Sequence, residues 1–106
     1  MKRDVFQAVA DPTRRAILIL IASQAMTPNA LADHFETSRQ AVSKHIQFLM
    51  ECDVIRSDKV GREIYYGLKM DKMDNLRTWF DQLRRQWEDR FEQLDQVLIN
   101  LKSQQK

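Results

Sequence analysis

A single cysteine, Cys52, means that no disulfide and no multi-cysteine metal cluster can form within this 106-residue chain. The reducing cytoplasm is therefore the expected compartment. Only two glycines and two prolines are present, which suits a helical chain with few elaborate loops and leaves no room for a glycine-rich phosphate cradle. Long apolar runs are missing too. The longest, AILILIA at Ala16–Ala22, is much too short to span a bilayer, and the N-terminal MKRDVFQAVADPTRR has no continuous apolar segment of the signal-peptide kind. Strong net charge is also absent: +2 at pH 7 permits nucleic-acid binding without demanding it. Finally, the stretch TSRQAVSKHIQFLM, Thr37–Met50, contains no acidic residue. A gap of that length is weak by itself, so its meaning depends on which side chains fill the segment.

What is present reads as mainly helix with one small hairpin. Val5, Phe6, Val9 and Ala10 recur at helical spacing and stop before Asp11-Pro12, which restarts a helix with Asp11 as N-cap and Pro12 at its first position. That second helix runs to about Ser23. Its ILILI core would also suit a buried strand, but the cap and the flanking Arg14, Arg15 and Gln24 favour a buried helix. Thr27-Pro28 repeats the start signal, with Leu31, Ala32 and Phe35 on one face and an end near Phe35. After the short spacer Glu36-Thr37, Ser38 caps a helix expected to reach Glu51. Residues 27–51 are thus a helix-turn-helix candidate.

The period then changes. Val54 and Ile55 open one short strand, and Ile64, Tyr65, Tyr66 and Leu68 lie in a second. Lys59-Val60-Gly61-Arg62 is the expected tip, with Gly61 supplying a positive φ. This hairpin, about 54–69, is a wing candidate. From about 70 to 102 the chain is predicted to be helical. Met73, Leu76, Trp79, Phe80, Leu83, Trp87, Phe91, Leu94, Leu98 and Leu101 form a stripe along about 45 Å of helix. A single winged-helix domain over 1–106 follows from this order.

Within the acid-free segment, Val42, Ile46 and Leu49 fall on one side of the helical wheel, flanked by Met50 and His45. Gln40, Ser43, Lys44 and Gln47 fall on the other, with Arg39 beside them in the first turn. Gln can bond adenine bidentately, Arg and Lys read guanine or phosphate, and Ser reaches either. A solvated helix face is built from the same residue types. The capped helix before it and the hairpin after it are what make a DNA-reading face the better account. Arg62, with Lys59 nearby, is the expected wing contact, the alternative being a turn cation paired with Glu63 or Asp58. A terminal stripe that exceeds what a small core can cover is most simply buried against a second copy.

The blocks VFQAVADPTRRAILILIA, LADHFETSRQAVSKHIQFLMECDVI and VGREIYYGL resemble the ArsR-type winged-helix repressors of bacteria, over roughly residues 3–69. The terminal WFDQLRRQWEDRFEQLDQVL is similar to a subgroup with a long Trp-containing last helix. The resemblance implies a homodimeric repressor on a palindromic operator near its own promoter. It places dimer contacts on the first and last helices, here Val5, Phe6, Val9, Trp79, Phe80, Leu83, Trp87, Phe91 and Leu94. It places DNA contacts at Arg39, Gln40, Ser43 and Lys44, with Arg62 on the wing; Ser38, Gln47 and Lys59 adjoin them.

Several departures narrow this expectation. Metal-sensing members carry a Cys-x-Cys on the helix that here reads NALADHF, or N-terminal cysteines, or Asp and His pairs on the last helix. None of these is present, and His34 and His45 lie on separate helices, so neither metal nor cofactor is expected. Glu36 stands at a turn position where glycine is frequent, and a left-handed φ there would cost about 1–2 kcal/mol. Cys52 is expected to be a small buried hydrophobe rather than a redox switch, and His45 a flanking residue within the fold rather than a DNA contact. A winged helix that docks a protein and no longer binds DNA is the alternative function. An enzyme has no visible nucleophile–base pair to support it.

Overall fold

The computed structural model describes residues 3–104. Its elements are α1 (Val5–Ala8), α2 (Pro12–Ser23), α3 (Pro28–Ala32), α4 (Arg39–Glu51), β1 (Ile55–Val60), β2 (Glu63–Leu68) and α5 (Met70–Gln104). The chain divides into two compact units, a body through Asn75 and the rest of α5 from Leu76.

Side-chain caps start the helices of the body. Asp4 Oδ1 accepts from the Phe6 and Gln7 amides at 3.0 and 3.1 Å, and Asp11 Oδ2 from the Arg14 amide at 3.0 Å. Thr27 Oγ1 accepts from the Ala30 amide at 3.2 Å and Ser38 Oγ from the Ala41 amide at 3.1 Å. Each bond satisfies an amide that has no partner inside its helix. Asp11 is extended, as a residue before proline must be to avoid the ring, so α1 and α2 cannot merge into one helix.

α3 is shorter than its apolar pattern predicts, ending at Ala32 rather than near Phe35. The His34 and Phe35 amides bond back three residues, to the Leu31 and Ala32 carbonyls at 3.1 Å each, which tightens the chain out of the helix. That turn needs no left-handed residue. Among the described residues only Asp53 and Gly61 have positive φ, so Glu36 carries no such penalty.

α4 ends differently. The Asp53 amide bonds to the Met50 carbonyl at 3.0 Å and the Val54 amide to the Leu49 carbonyl at 3.4 Å. Asp53 has φ +60°. This is the Schellman arrangement, and the apolar residues that normally accompany it are Leu49 and Val54, both wholly buried. Val54, expected to open the first strand, belongs to this stop instead, and the strand begins at Ile55.

The two strands pair antiparallel, from Ile55 opposite Leu68 to Val60 opposite Glu63. The tip is therefore only Gly61-Arg62. Lys59, expected in the tip, lies in β1 opposite Ile64. Gly61 takes φ +65° at the first turn position, the pattern of a two-residue hairpin that needs glycine there. Met26, in the loop before α3, exchanges both backbone bonds with Tyr66, at 3.0 and 2.8 Å, and so ties the hairpin to the helices. Ile17 of α2, Leu31 of α3, Val42 and Leu49 of α4, Val54 and Ile55 are the largest fully buried side chains, and they make one core.

In α5 no residue is buried. Its apolar stripe is open, with Trp79, Phe80, Leu83, Trp87, Phe91 and Leu94 all exposed. Trp79 meets Phe80, and Trp87 meets Phe91, edge to face at centroid distances of 5.0 and 5.3 Å. On the polar side Arg84 lies 3.6 Å from Asp81 and 3.9 Å from Glu88, exposed pairs that support the helix only slightly.

Candidate nucleic-acid interface

α4 has two faces. Val42, Ile46 and Leu49 point into the core, while Arg39, Gln40, Ser43, Lys44 and Gln47 are all exposed, and so is the capping Ser38. Five groups able to donate hydrogen bonds or carry positive charge thus share one outward strip of three turns. Lys59 and Arg62 are exposed on the wing. The acids expected to pair with Arg62 are engaged elsewhere. Asp58 takes Arg56 at 3.3 Å, and Glu63 accepts from the Tyr65 hydroxyl at 3.1 Å, an interaction that raises the Tyr65 pKa. Among the described residues, Arg39, Lys44, Lys59 and Arg62 form no ion pair. Cations left unpaired keep their full attraction for phosphate.

Arg56 of β1 lies over Gly67, at the distance of ordinary contact from where a Cβ would stand, and reaches Asp58 at 3.3 Å.

Behind α4 is a cluster that sequence reasoning passed over. Arg14, at the third position of α2, reaches back across the Asp11-Pro12 break. Its Nη2 donates to the Gln7 carbonyl at 2.9 Å and its Nε to the Ala8 carbonyl at 3.2 Å, while Arg15 donates to Val9 O at 2.8 Å. The Ala8 and Val9 carbonyls lie past the last backbone bond of this short helix, and the Gln7 carbonyl also accepts from the Ala10 amide at 3.2 Å. The Arg14 guanidinium also lies 4.0 Å from the centroid of the Phe48 ring, and Arg3 lies 4.0 Å from the same centroid. Both guanidiniums are thus in cation–π contact with the one ring. Arg3 continues to Glu51 at 2.6 Å. The one available signal was local: an Arg three residues after an Asp-Pro start is within reach of the helix that start interrupts.

His45 is half-buried, with Nδ1 3.9 Å from Asp11 Oδ2, as a flanking residue within the fold. The Arg14 amide bond, helped by the nearby His45 and Arg14 charges, holds the Asp11 carboxyl below its usual range. Cys52 is buried at the end of α4, and burial pushes its thiol pKa up, away from the reactive thiolate. Asp53 is paired with Lys69 and, at 3.2 Å, with Lys72; Lys69 first and then Lys72 lower its pKa.

Of the residues expected at a dimer interface, Val5 is 6% exposed and packed in the chain's own body, which leaves it almost no surface for a partner. Phe6 is exposed and Val9 half-buried. Among the described residues, no three His, Cys, Asp or Glu side chains gather as a metal ion would require, and no helix is long and apolar enough to cross a membrane.

A short helix, a tight turn, a second helix with an exposed polar strip and an antiparallel hairpin define a winged helix-turn-helix. Residues 9–58 match the family model of a helix-turn-helix domain. The chain is 37% identical over 76 residues to the transcriptional repressor SdpR of Bacillus subtilis, an alignment covering 72% of this chain and 84% of that one. It superposes on an ArsR-like transcriptional regulator from Rhodococcus sp. RHA1 with a TM-score of 0.69, at 31% identity and covering 88% of each chain. A crystal structure of another ArsR family transcriptional regulator gives 0.69 at 34% identity, over 78% of this chain and 91% of that one. The chain belongs to the ArsR family of helix-turn-helix transcriptional regulators.

Proposed function

We propose that this chain is a DNA-binding transcriptional repressor that acts in the cytoplasm as a homodimer on a palindromic operator. α4 enters the major groove. Gln40, Ser43, Lys44 and Gln47 address base edges, Ser38 and Arg39 the adjoining backbone, and Lys59 and Arg62 of the wing reach flanking phosphates or the minor groove. The observation that carries the reading is the division of α4 between buried Val42, Ile46 and Leu49 and an exposed strip without a single carboxylate. The name of the Bacillus subtilis relative supports repression as the sense of regulation.

The homodimer is supported by the open stripe of α5, from Trp79 and Phe80 through Leu83 and Trp87 to Phe91 and Leu94, together with exposed Phe6 and half-buried Val9. Apolar surface in a row this long gains most from a symmetric partner. Two-fold symmetry would set the two recognition helices about 34–36 Å apart, on successive major grooves. Docking of a protein without DNA is disfavoured by the four unpaired cations on α4 and the wing, which a phosphate backbone suits better.

DNA selected from the source genome by the purified protein supplies the operator. Replacing Gln40→Ala together with Lys44→Ala is expected to abolish operator preference while the helical circular-dichroism signal is kept. A side chain that pairs well with a base edge is worth about 1–3 kcal/mol of discrimination, and the variant forfeits two such side chains. Operator binding at wild-type strength by this variant would remove α4 from the reading face.

A further inference from the structure

A core alone does not settle how α4 is turned about its own axis. Val42, Ile46 and Leu49 are aliphatic, and their burial is compatible with small rotations that would swing the exposed strip relative to DNA. The groups that restrict such rotation lie on one flank. Phe48 follows Lys44 by four residues and so stands about 40° round the helix from it, between the reading strip and the core. Arg14 and Arg3 each lie 4.0 Å from the centroid of that ring. Arg14 in turn grips the Gln7 and Ala8 carbonyls at the end of α1, and Arg3 grips Glu51 at the end of α4. On the same flank His45 faces Asp11, the cap of α2, at 3.9 Å.

We infer that Arg14 and Phe48 are positioning residues for operator recognition: through them the end of α1 sets the rotation of α4, and with it the aim of Gln40, Ser43, Lys44 and Gln47. Neither side chain touches DNA in this scheme. The guanidinium is suited to the task because one planar group donates in its plane to two carbonyls while offering its face to the ring. A lysine at 14 would keep the charge and lose both features. The inference rests on the reading of α4 as the DNA-reading helix. Its consequence is that α1, which carries exposed Phe6, is mechanically linked to the reading strip through Arg14 and Phe48, with Arg3 beside them.

The full-length chain is compared with its Phe48→Leu, Phe48→Tyr and Arg14→Lys variants. Affinity for the selected operator and for unrelated duplex DNA is measured, with thermal unfolding alongside. Phe48→Leu and Arg14→Lys are each expected to weaken operator binding about tenfold while unrelated-DNA affinity and its salt slope stay at wild-type values. The double variant should be no weaker than the worse single, because the two residues act as one unit. Phe48→Tyr, which keeps the ring faces, should bind like wild type. Equal losses on both DNAs, wild-type operator binding by Phe48→Leu, or losses that multiply in the double variant would each overturn the inference.

Hydrogen exchange without DNA gives a readout independent of operator reading. Phe48→Leu, a change on α4, should speed exchange of the Ala8 and Val9 amides of α1 by about threefold or more. Unchanged exchange there refutes the linkage even if the wild-type chain proves to have no operator, whereas faster exchange in a chain without operator preference refutes only the DNA reading.

Discussion

Asp53 occupies the position after α4 where glycine is the usual residue, because the backbone there has φ +60°. Asp tolerates that region better than most side chains, and here it also collects Lys69 and Lys72. The two lysines, Lys69 foremost, hold its carboxyl below the ordinary range. A depressed folded-state pKa stabilises the fold above the unfolded value of about 3.9, and that contribution is lost as pH falls through the folded value. Asp53→Asn keeps the backbone preference and removes the charge. It is therefore expected to lower the unfolding temperature at neutral pH and to approach wild type in acid, once the carboxyl is protonated in the folded chain as well. Thermal melts at the two pH values check this, and an offset of the same size at both would assign the effect to something other than the ion pairs. Nothing around residue 53 in the sequence marks it, since Lys69 is sixteen residues away.

At the scale of the element, the helix starts were legible, as were the ends of α2 at Ser23 and α4 at Glu51, whereas the end of α3 and the start of β1 were not. Asp11, Thr27 and Ser38 cap α2, α3 and α4 as their sequence contexts predict. A cap is settled by a side chain and an amide three residues on, with no help from the rest of the molecule. The end of α3 and the start of β1 depend on where the tight turn and the Schellman stop fall, and these answer to the core around Leu31, Leu49 and Val54. The wing tip is narrower than the local pattern predicts for a similar reason, since the register that brings Lys59 opposite Ile64 is a property of the strand pair. Asp11→Ala should cost about 1 kcal/mol of stability through the missing cap. That corresponds to a drop of about 4–8 °C in unfolding temperature for a domain of this size. Asp11→Ser should recover most of it, because a hydroxyl also accepts from the Arg14 amide; calorimetry on the three proteins makes the comparison.

At the scale of the whole molecule, the question is what covers α5. Phe91 and Leu94 are each about half exposed in the single chain. Phe91→Glu with Leu94→Glu is therefore expected to leave the body folded, convert the proposed dimer to monomer in sedimentation equilibrium and weaken operator binding, since two half-sites would no longer be engaged together. A dimer of wild-type stability in this variant would move the interface elsewhere, with exposed Phe6 of α1 the next surface to test. By itself the sequence determined the helix starts, the division of α4 into an apolar and a polar face, the glycine of the wing and the open stripe of α5. Each of these depends on residues within a few positions of one another and on a fixed helical or strand period. The tertiary structure alone decided that Val5 is buried, that Asp53 ends α4 with two lysines for company, and that Arg14 joins α1 to Phe48 beside the polar face of α4. Those arrangements bring together residues far apart in the chain, and the packing of the core, which no local pattern encodes, determines which of them meet.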